Sequence, residues 1–177
     1  MVSLVFLIGL IGVLIAIFFK EPIIGLISND HKFVRKFERV TWFHNHWSAG
    51  IFLFVLNAAI FFAAGLILFA LTYFLIPFVH FVIMFFAVIS CIFLWILFNK
   101  AWQGTKKNRV KMGLIGSSFY MVLTFVFVYF LLTMKPSYPG EDTFMGAIGL
   151  VFAIIITFLA FITCFTYTGF PVKKEIR

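Results

Sequence analysis

Apolar residues occupy this chain in five long runs that are separated by short polar connections. Each run reaches the ~18 to 20 residues that a helix needs to cross a ~30 Å hydrocarbon layer. The runs cover residues 2–19, 48–76, 78–98, 112–134 and 144–167. We therefore predict an all-α fold, a single polytopic membrane domain over residues 1–177 with five transmembrane helices.

The connections between these runs are short and carry turn residues. Pro77 stands where a third helix begins, because its missing N–H costs nothing in a first turn, so the second and third helices should be antiparallel neighbours. Pro139-Gly140 fits the central pair of a type II turn before the fifth helix. No Lys or Arg precedes the first run, so we interpret it as a retained helix and not as a secretory signal peptide.

The one sizeable polar segment lies between the first two runs and has a helical pattern over residues 30–46. At 100° per residue its apolar and aromatic side chains form one stripe, with Lys32, Arg35 and Arg39 on the other side. The stripe consists of Phe33, Phe37, Val40, His44 and Trp47, and Asn29 or Asp30 can provide the N-cap. We predict a cytoplasmic amphipathic helix in the membrane interface, with a partner-binding arm as the alternative.

Composition agrees with this membrane assignment. The chain has 177 residues, of which 64% are hydrophobic and 11% charged, and its mean hydropathy is +1.15. That hydropathy exceeds what the core of a soluble globular domain could use, so that class is excluded.

The distribution of the 14 Lys and Arg residues predicts the orientation. Thirteen fall in the connection after the first run, in the connection after the third run or in the carboxyl-terminal tail, and Lys135 alone falls on the opposite side. Because basic residues near span ends stay in the cytoplasm, we expect the amino terminus outside and the carboxyl terminus inside a cell (plasma) membrane. The net charge of +8 then indicates attraction to anionic headgroups and not to nucleic acid.

Aromatic and sulfur residues add two expectations. All four tryptophans lie near the predicted cytoplasmic boundary, where an indole keeps its ring in lipid and its N–H in water: Trp42, Trp47, Trp95 and Trp102. Cys91 and Cys164 lie within spans, so neither a disulfide framework nor a thiolate metal cluster is expected.

The histidines do not form an evident metal or haem site. His44 and His46 point about 200° apart on a continuous helix, so they share a metal only where the backbone is extended. His46 and His80 stand at opposite ends of the second helix, on the order of 40 Å apart, which is too far for one haem. We expect no bound metal and no cofactor.

The spans carry no ionisable side chain at mid-depth, which disfavours proton-coupled transport and intramembrane proteolysis, and we assign no catalytic residue. The strongest interior polar group is Asn57, for which we expect an interhelical hydrogen bond worth ~1 kcal/mol. Gly9 and Gly12, with Gly146 and Gly149, favour packing of the first helix on the fifth.

These features favour a non-catalytic accessory, scaffold or assembly subunit with a basic cytoplasmic docking face. Its partners would be anionic lipid and another membrane protein or a second copy of the chain. Two alternatives remain, namely an oligomeric permeation or lipid-handling unit with Asn57 on its path, and an interfacial enzyme that uses His44 and His46. The predicted contact residues are Arg35, Arg39, Trp42, His44, His46, Trp47, Trp102, Lys106, Lys107 and Arg109.

Overall fold

The computed structural model describes residues 11–13, 15–25, 32–74, 79–136 and 143–171, and no strand occurs among them. Residues 11–13 and 15–18 are helical, and after a turn at Phe19 the chain enters helix α1. The elements in chain order are α1 (Lys20–Gly25), α2 (Lys32–Glu38), the 3-10 helix η1 (Thr41–His44), α3 (His46–Phe74), α4 (Val79–Ala101), α5 (Lys106–Thr133) and α6 (Phe144–Gly169).

Four of these helices, α3 to α6, are long and apolar enough to cross a membrane. The prediction of an all-helical chain with several apolar spans is confirmed to this extent. Most of the first predicted span, residues 2–10 and 14, lies outside the described residues, as do Pro77, Pro139-Gly140 and the basic tail after residue 171.

Helix α5 begins six residues before the predicted fourth span. Thr105 is its N-cap, and the Thr105 side chain accepts a hydrogen bond from the backbone N–H of Asn108 at 3.3 Å. A Thr in extended conformation satisfies one of the first free N–H groups of a helix. The helix thus begins at this cap, among polar residues, and an apolar run alone does not mark that start.

The helix predicted over residues 30–46 is instead divided into α2 and η1. Val40 between them is extended, with φ −86° and ψ 116°. This break turns Phe43 inward, where its ring lies 5.2 Å from Phe98 and 6.1 Å from Trp102. The buried side chains are therefore Val34 and Phe43, whereas three members of the predicted stripe are exposed, namely Phe33, His44 and Trp47.

The hydrophobic core lies at one end of the long helices. It includes the last turns of α4 from Trp95 to Ala101 and the following Trp102, the start of α3 around Ala49 and Leu53, and Met112 on α5. By contrast, no residue is buried in 58–74 of α3 or 79–90 of α4. We call the first region the basic end, because α1, α2 and the start of α5 surround it.

Glycines allow close helix approach, although not where the sequence predicted it. A Cβ built on Gly116 would lie 2.3 Å from Leu53 of α3, and one on Gly113 would lie 2.9 Å from the Gly169 backbone of α6. Among the described residues, nothing lies within 4 Å of such an atom on Gly12 or Gly149, so the structure does not show the predicted glycine contact for this pair. The close seams run from α5 to α3 and α6.

Candidate functional site: two polar networks at the basic end

Asn57 is the centre of the first network, which joins all four long helices. Its side chain is fully buried on α3. Its Oδ1 accepts hydrogen bonds from the indole Nε1 of Trp95 on α4 at 3.0 Å and from the hydroxyl of Tyr120 on α5 at 3.4 Å. A buried amide oxygen has two lone pairs, and here two donors occupy them.

The amide nitrogen of Asn57 completes the network. It donates to the carbonyl oxygen of Gly116 on α5 at 3.2 Å and to Sγ of Cys164 on α6 at 3.6 Å. The thiol of Cys91 on α4 lies 3.6 Å from the Tyr120 hydroxyl. Because Gly116 has no side chain, α5 approaches α3 closely at Leu53, one turn before Asn57. We call Asn57, Cys91, Trp95, Gly116, Tyr120 and Cys164 the Asn57 cluster.

The position of Trp95 in this cluster differs from the tryptophan belt that the sequence predicted. Trp95 and Trp102 are each 4% exposed, whereas Trp42 and Trp47 are exposed. An indole serves equally well at a lipid interface and inside a bundle that offers an acceptor for its N–H. The buried amide of Asn57 supplies that acceptor to Trp95.

A second network caps the helix ends around Asn99 and Arg109. The Asn99 side chain donates to the carbonyl oxygens of Tyr167 and Phe170, the latter at 2.9 Å. The Arg109 guanidinium donates to the carbonyl oxygens of Asn99 at 2.5 Å and Trp102 at 3.2 Å. The last carbonyls of a helix lack intrahelical partners and carry partial negative charge. Both side chains therefore satisfy the ends of α4 and α6.

Lys20 adds a third donor from α1. Its Nζ donates to the carbonyl oxygens of Thr166 at 2.5 Å and Phe170 at 3.0 Å, and it lies 5.5 Å from the centre of the Phe170 ring. Burial lowers the pKa of Lys20 to about 8, with a further lowering by the charge of Arg109 and an opposing effect of Glu21. Close by, the hydroxyl of Tyr167 donates to the carbonyl oxygen of Ala16 at 2.7 Å. We call Lys20, Asn99 and Arg109 the capping network.

Two of the predicted contact residues thus lie inside the molecule. Arg109 is 9% exposed and bonded to backbone carbonyls, and Trp102 packs against Phe43. His46 is half-buried. The exposed members form what we call the basic surface, which consists of Arg35, Arg39, Trp42, His44, Trp47, Lys106 and Lys107.

The histidines of this region, His44 and His46, contact residues close to them in sequence. His44 Nδ1 lies 3.3 Å from the carbonyl oxygen of Val40, and the His46 ring centre lies 5.9 Å from that of Trp47. In the described ranges no group of three or more His, Cys, Asp or Glu side chains is arranged to hold a metal ion. His31 lies outside those ranges.

Sequence reasoning singled out Asn57, and it named Trp95, Cys91, Cys164 and Arg109 in other roles. It missed Asn99 and Tyr120, and it did not predict the bonds that form the two networks. Asn99 breaks the apolar end of α4 and stands one helical turn after Trp95, so the two share a face. That spacing is a usable signal. Nothing local links Asn99 to Tyr167 or Lys20 to Thr166, because these pairs are 68 and 146 residues apart.

Comparison of the chain with protein-family models, curated proteins and solved structures finds no match. Function is therefore inferred from the geometry of the two networks and of the basic surface.

Proposed function

We propose that this protein is a non-catalytic accessory or assembly subunit of a membrane complex, with the basic surface as its docking face. One observation carries the proposal. The side chains of the Asn57 cluster and of the capping network bond to each other and to backbone carbonyls, while basic and aromatic side chains around them remain exposed. Such an arrangement holds a surface rigid without placing a reactive group at its centre.

We infer five spans, with the helical segment before α1 as the first and α3 to α6 as the others. The amino terminus is outside the cell membrane, and the basic end and carboxyl terminus are cytoplasmic. The charge distribution supports this orientation, since thirteen of the 14 Lys and Arg residues belong to the inferred cytoplasmic segments.

In this arrangement α2 and η1 lie at the level of the lipid headgroups. Trp42 of η1 packs edge-on against Phe52 at 5.0 Å, and Phe37 of α2 lies 5.7 Å from Phe98, three residues before the end of α4. These contacts hold the segment against the ends of two spans. It therefore serves as an interfacial element, although not as the single helix that the sequence predicted.

The partner that the basic surface fits is an acidic cytoplasmic surface of a neighbouring membrane protein. Lys106 and Lys107 form the exposed first turn of α5, and Trp47 presents an exposed ring on the first turn of α3. An exposed tryptophan favours protein contact, because Trp is enriched at protein interfaces and among the residues that dominate binding energy.

Neither alternative has comparable support. The hydrogen-bonding capacity of the Asn57 amide is used within the helix bundle, so we do not propose it as the lining of a permeation path. His44 and His46 face backbone and an aromatic neighbour, so we do not propose an enzyme centred on them.

Affinity purification after crosslinking, in mild detergent, tests the docking role. Wild type should retain a stoichiometric partner, and Lys106→Glu or Lys107→Glu should reduce its yield several-fold. Lys135→Glu makes the same charge change at an exposed position beyond the far end of α5 and should leave the yield unchanged. Recovery of a lone wild-type monomer, or equal loss in all three variants, would contradict the proposal.

A further inference from the structure

Helix α2 and Arg39, the residue directly after it, carry four cations on one face. Lys32, Arg35, Lys36 and Arg39 follow an i, i+3, i+4, i+7 pattern, which confines them to an arc of about 100°. The acidic residue of α2, Glu38, falls outside this arc. Like charges at i, i+4 repel each other and destabilise a helix. We call these four residues the cationic stripe. An anion bound along it would reduce the repulsion and so stabilise the helix.

The same four side chains, with Val40, line a groove of about 420 Å³. The opposite side of α2 is anchored, since Val34 is 1% exposed and Phe37 packs against Phe52 and Phe98. The helix therefore cannot turn its charged face to another direction without losing these contacts. The groove is an open surface depression with four cationic side chains around it.

The position of the groove relative to the ends of the long helices indicates the source of the anion. Phe52 is the seventh residue of α3, about 9 Å from its start, and Phe98 is in the last turn of α4. A helix that packs on both lies where two apolar helices end, which is the headgroup level if they span a bilayer. Exposed aromatic rings flank the cations, Phe33 on α2 and Trp42 on η1. Aromatic side chains next to cations are typical of the lipid interface.

We propose that the cationic stripe of α2 binds the phosphate of an anionic phospholipid headgroup, with Lys32, Arg35, Lys36 and Arg39 as its ligands. Of the basic surface we assign Arg35 and Arg39 to the lipid, and Lys106, Lys107 and Trp47 to the protein partner, so this site does not depend on that partner. The bound lipid anchors α2 in the headgroup layer.

Native mass spectrometry of the full chain from micelles that contain equal amounts of phosphatidylglycerol and phosphatidylcholine tests the site. Wild type should retain phosphatidylglycerol in preference. The variant K32Q/R35Q/K36Q/R39Q should lower that preference about tenfold or more, since each cation near an anionic surface contributes substantially to binding. The variant K32R/R35K/K36R/R39K keeps the charge and should retain lipid.

A matched control separates this site from general attraction. K106Q/K107Q/K111Q/K135Q removes four exposed positive charges elsewhere and should leave the lipid preference within about twofold of wild type. An equal loss in both neutralised variants, or no loss in the α2 variant, would overturn the proposal. Displacement of the lipid by millimolar inorganic phosphate would show a free-phosphate site and also overturn it.

A further result would assign the stripe to protein. If the α2 variant loses the co-purifying partner but keeps its lipid preference, the stripe binds an acidic polypeptide and not a headgroup. Circular dichroism of each variant in the same detergent identifies any that has failed to fold. If the neutralised variant has not folded, the charge-preserving variant provides the folded protein for comparison with wild type.

Discussion

At the scale of single residues, Asn57 shows how one amide can hold four apolar helices together. Hydrophobic driving force is absent between helices in lipid, so interhelical hydrogen bonds and close packing provide specificity. Asn57 contributes both, because it bonds to α4, α5 and α6 from a fully buried position. Its loss leaves the Trp95 and Tyr120 donors without an acceptor.

We predict that Asn57→Ala lowers the free energy of unfolding by about 1–3 kcal/mol, because it removes the bonds and strands two buried donors. Unfolding in detergent, followed by the emission of tryptophan, measures the change. Thr72→Val on the same helix is the control, since the exposed Thr72 hydroxyl bonds only to the Phe69 carbonyl within the described contacts. Equal stabilities of the two variants would contradict the role of the Asn57 cluster.

Lys20 gives a prediction for pH dependence. Its pKa is about 8 in the fold, against the ordinary 10.5. Between these values the unfolded chain holds a proton that the folded chain has released, so stability rises with pH over this window. Wild type should therefore gain thermal stability from pH 8 to 10.5 relative to Lys20→Met.

Thermal midpoints at steps of pH check this prediction. Lys135→Met, which removes an exposed lysine, should follow the wild-type curve. A wild-type curve parallel to that of Lys20→Met would show that burial of Lys20 has no energetic consequence.

At the scale of elements, glycine positions decide which helices meet. We predict that Gly116→Ala lowers stability by about 1–3 kcal/mol, because the added Cβ would lie 2.3–2.9 Å from Leu53 carbons, including its Cβ. Gly149→Ala adds the same methyl group in open space on α6 and should be neutral or slightly stabilising. Chemical unfolding of both proteins compares them.

A double variant tests the contact itself. Leu53→Ala removes the two nearest atoms that an alanine at position 116 would meet, Cδ2 and Cγ, and leaves only the Cβ at 2.9 Å, so the two changes together should cost less than their sum. Strict additivity would mean that the clash is relieved elsewhere.

Sequence could predict the elements far better than their pairing. A long apolar run has a helical interpretation that needs no tertiary information, so α3 to α6 were predictable. The break at Val40 and the burial of Trp95 were not, because both depend on residues of other helices, Phe98 in one case and Asn57 in the other. The capping network joins residues from three parts of the chain, and one sequence gives no signal for such pairs.

At the scale of the whole molecule, the number of membrane crossings can be tested directly. Five spans place the two termini on opposite sides, so a cysteine introduced at Ser3 or Lys135 should react with an impermeant maleimide in intact cells. A cysteine at Lys107 should react only after permeabilisation. The native Cys91 and Cys164 lie within helices, and Cys164 is fully buried. Labelling of Ser3 and Lys107 from the same side of the membrane would contradict the inferred first span.

Because residues 58–74 of α3 and 79–90 of α4 are not buried, we expect the protein to respond to bilayer thickness. Helix α3 has 29 residues, a length of about 43 Å, which exceeds a ~30 Å hydrocarbon layer. Its basic end is fixed by the Asn57 cluster, and its far half is not buried. In a thinner bilayer of short-chain lipid the far half should therefore tilt more from the membrane normal. Spin labels at Phe69 and Val126 should then change their separation, while labels at Trp47 and Lys107 keep theirs. A membrane that thins or thickens would thus reshape one end of the molecule and leave the other unchanged.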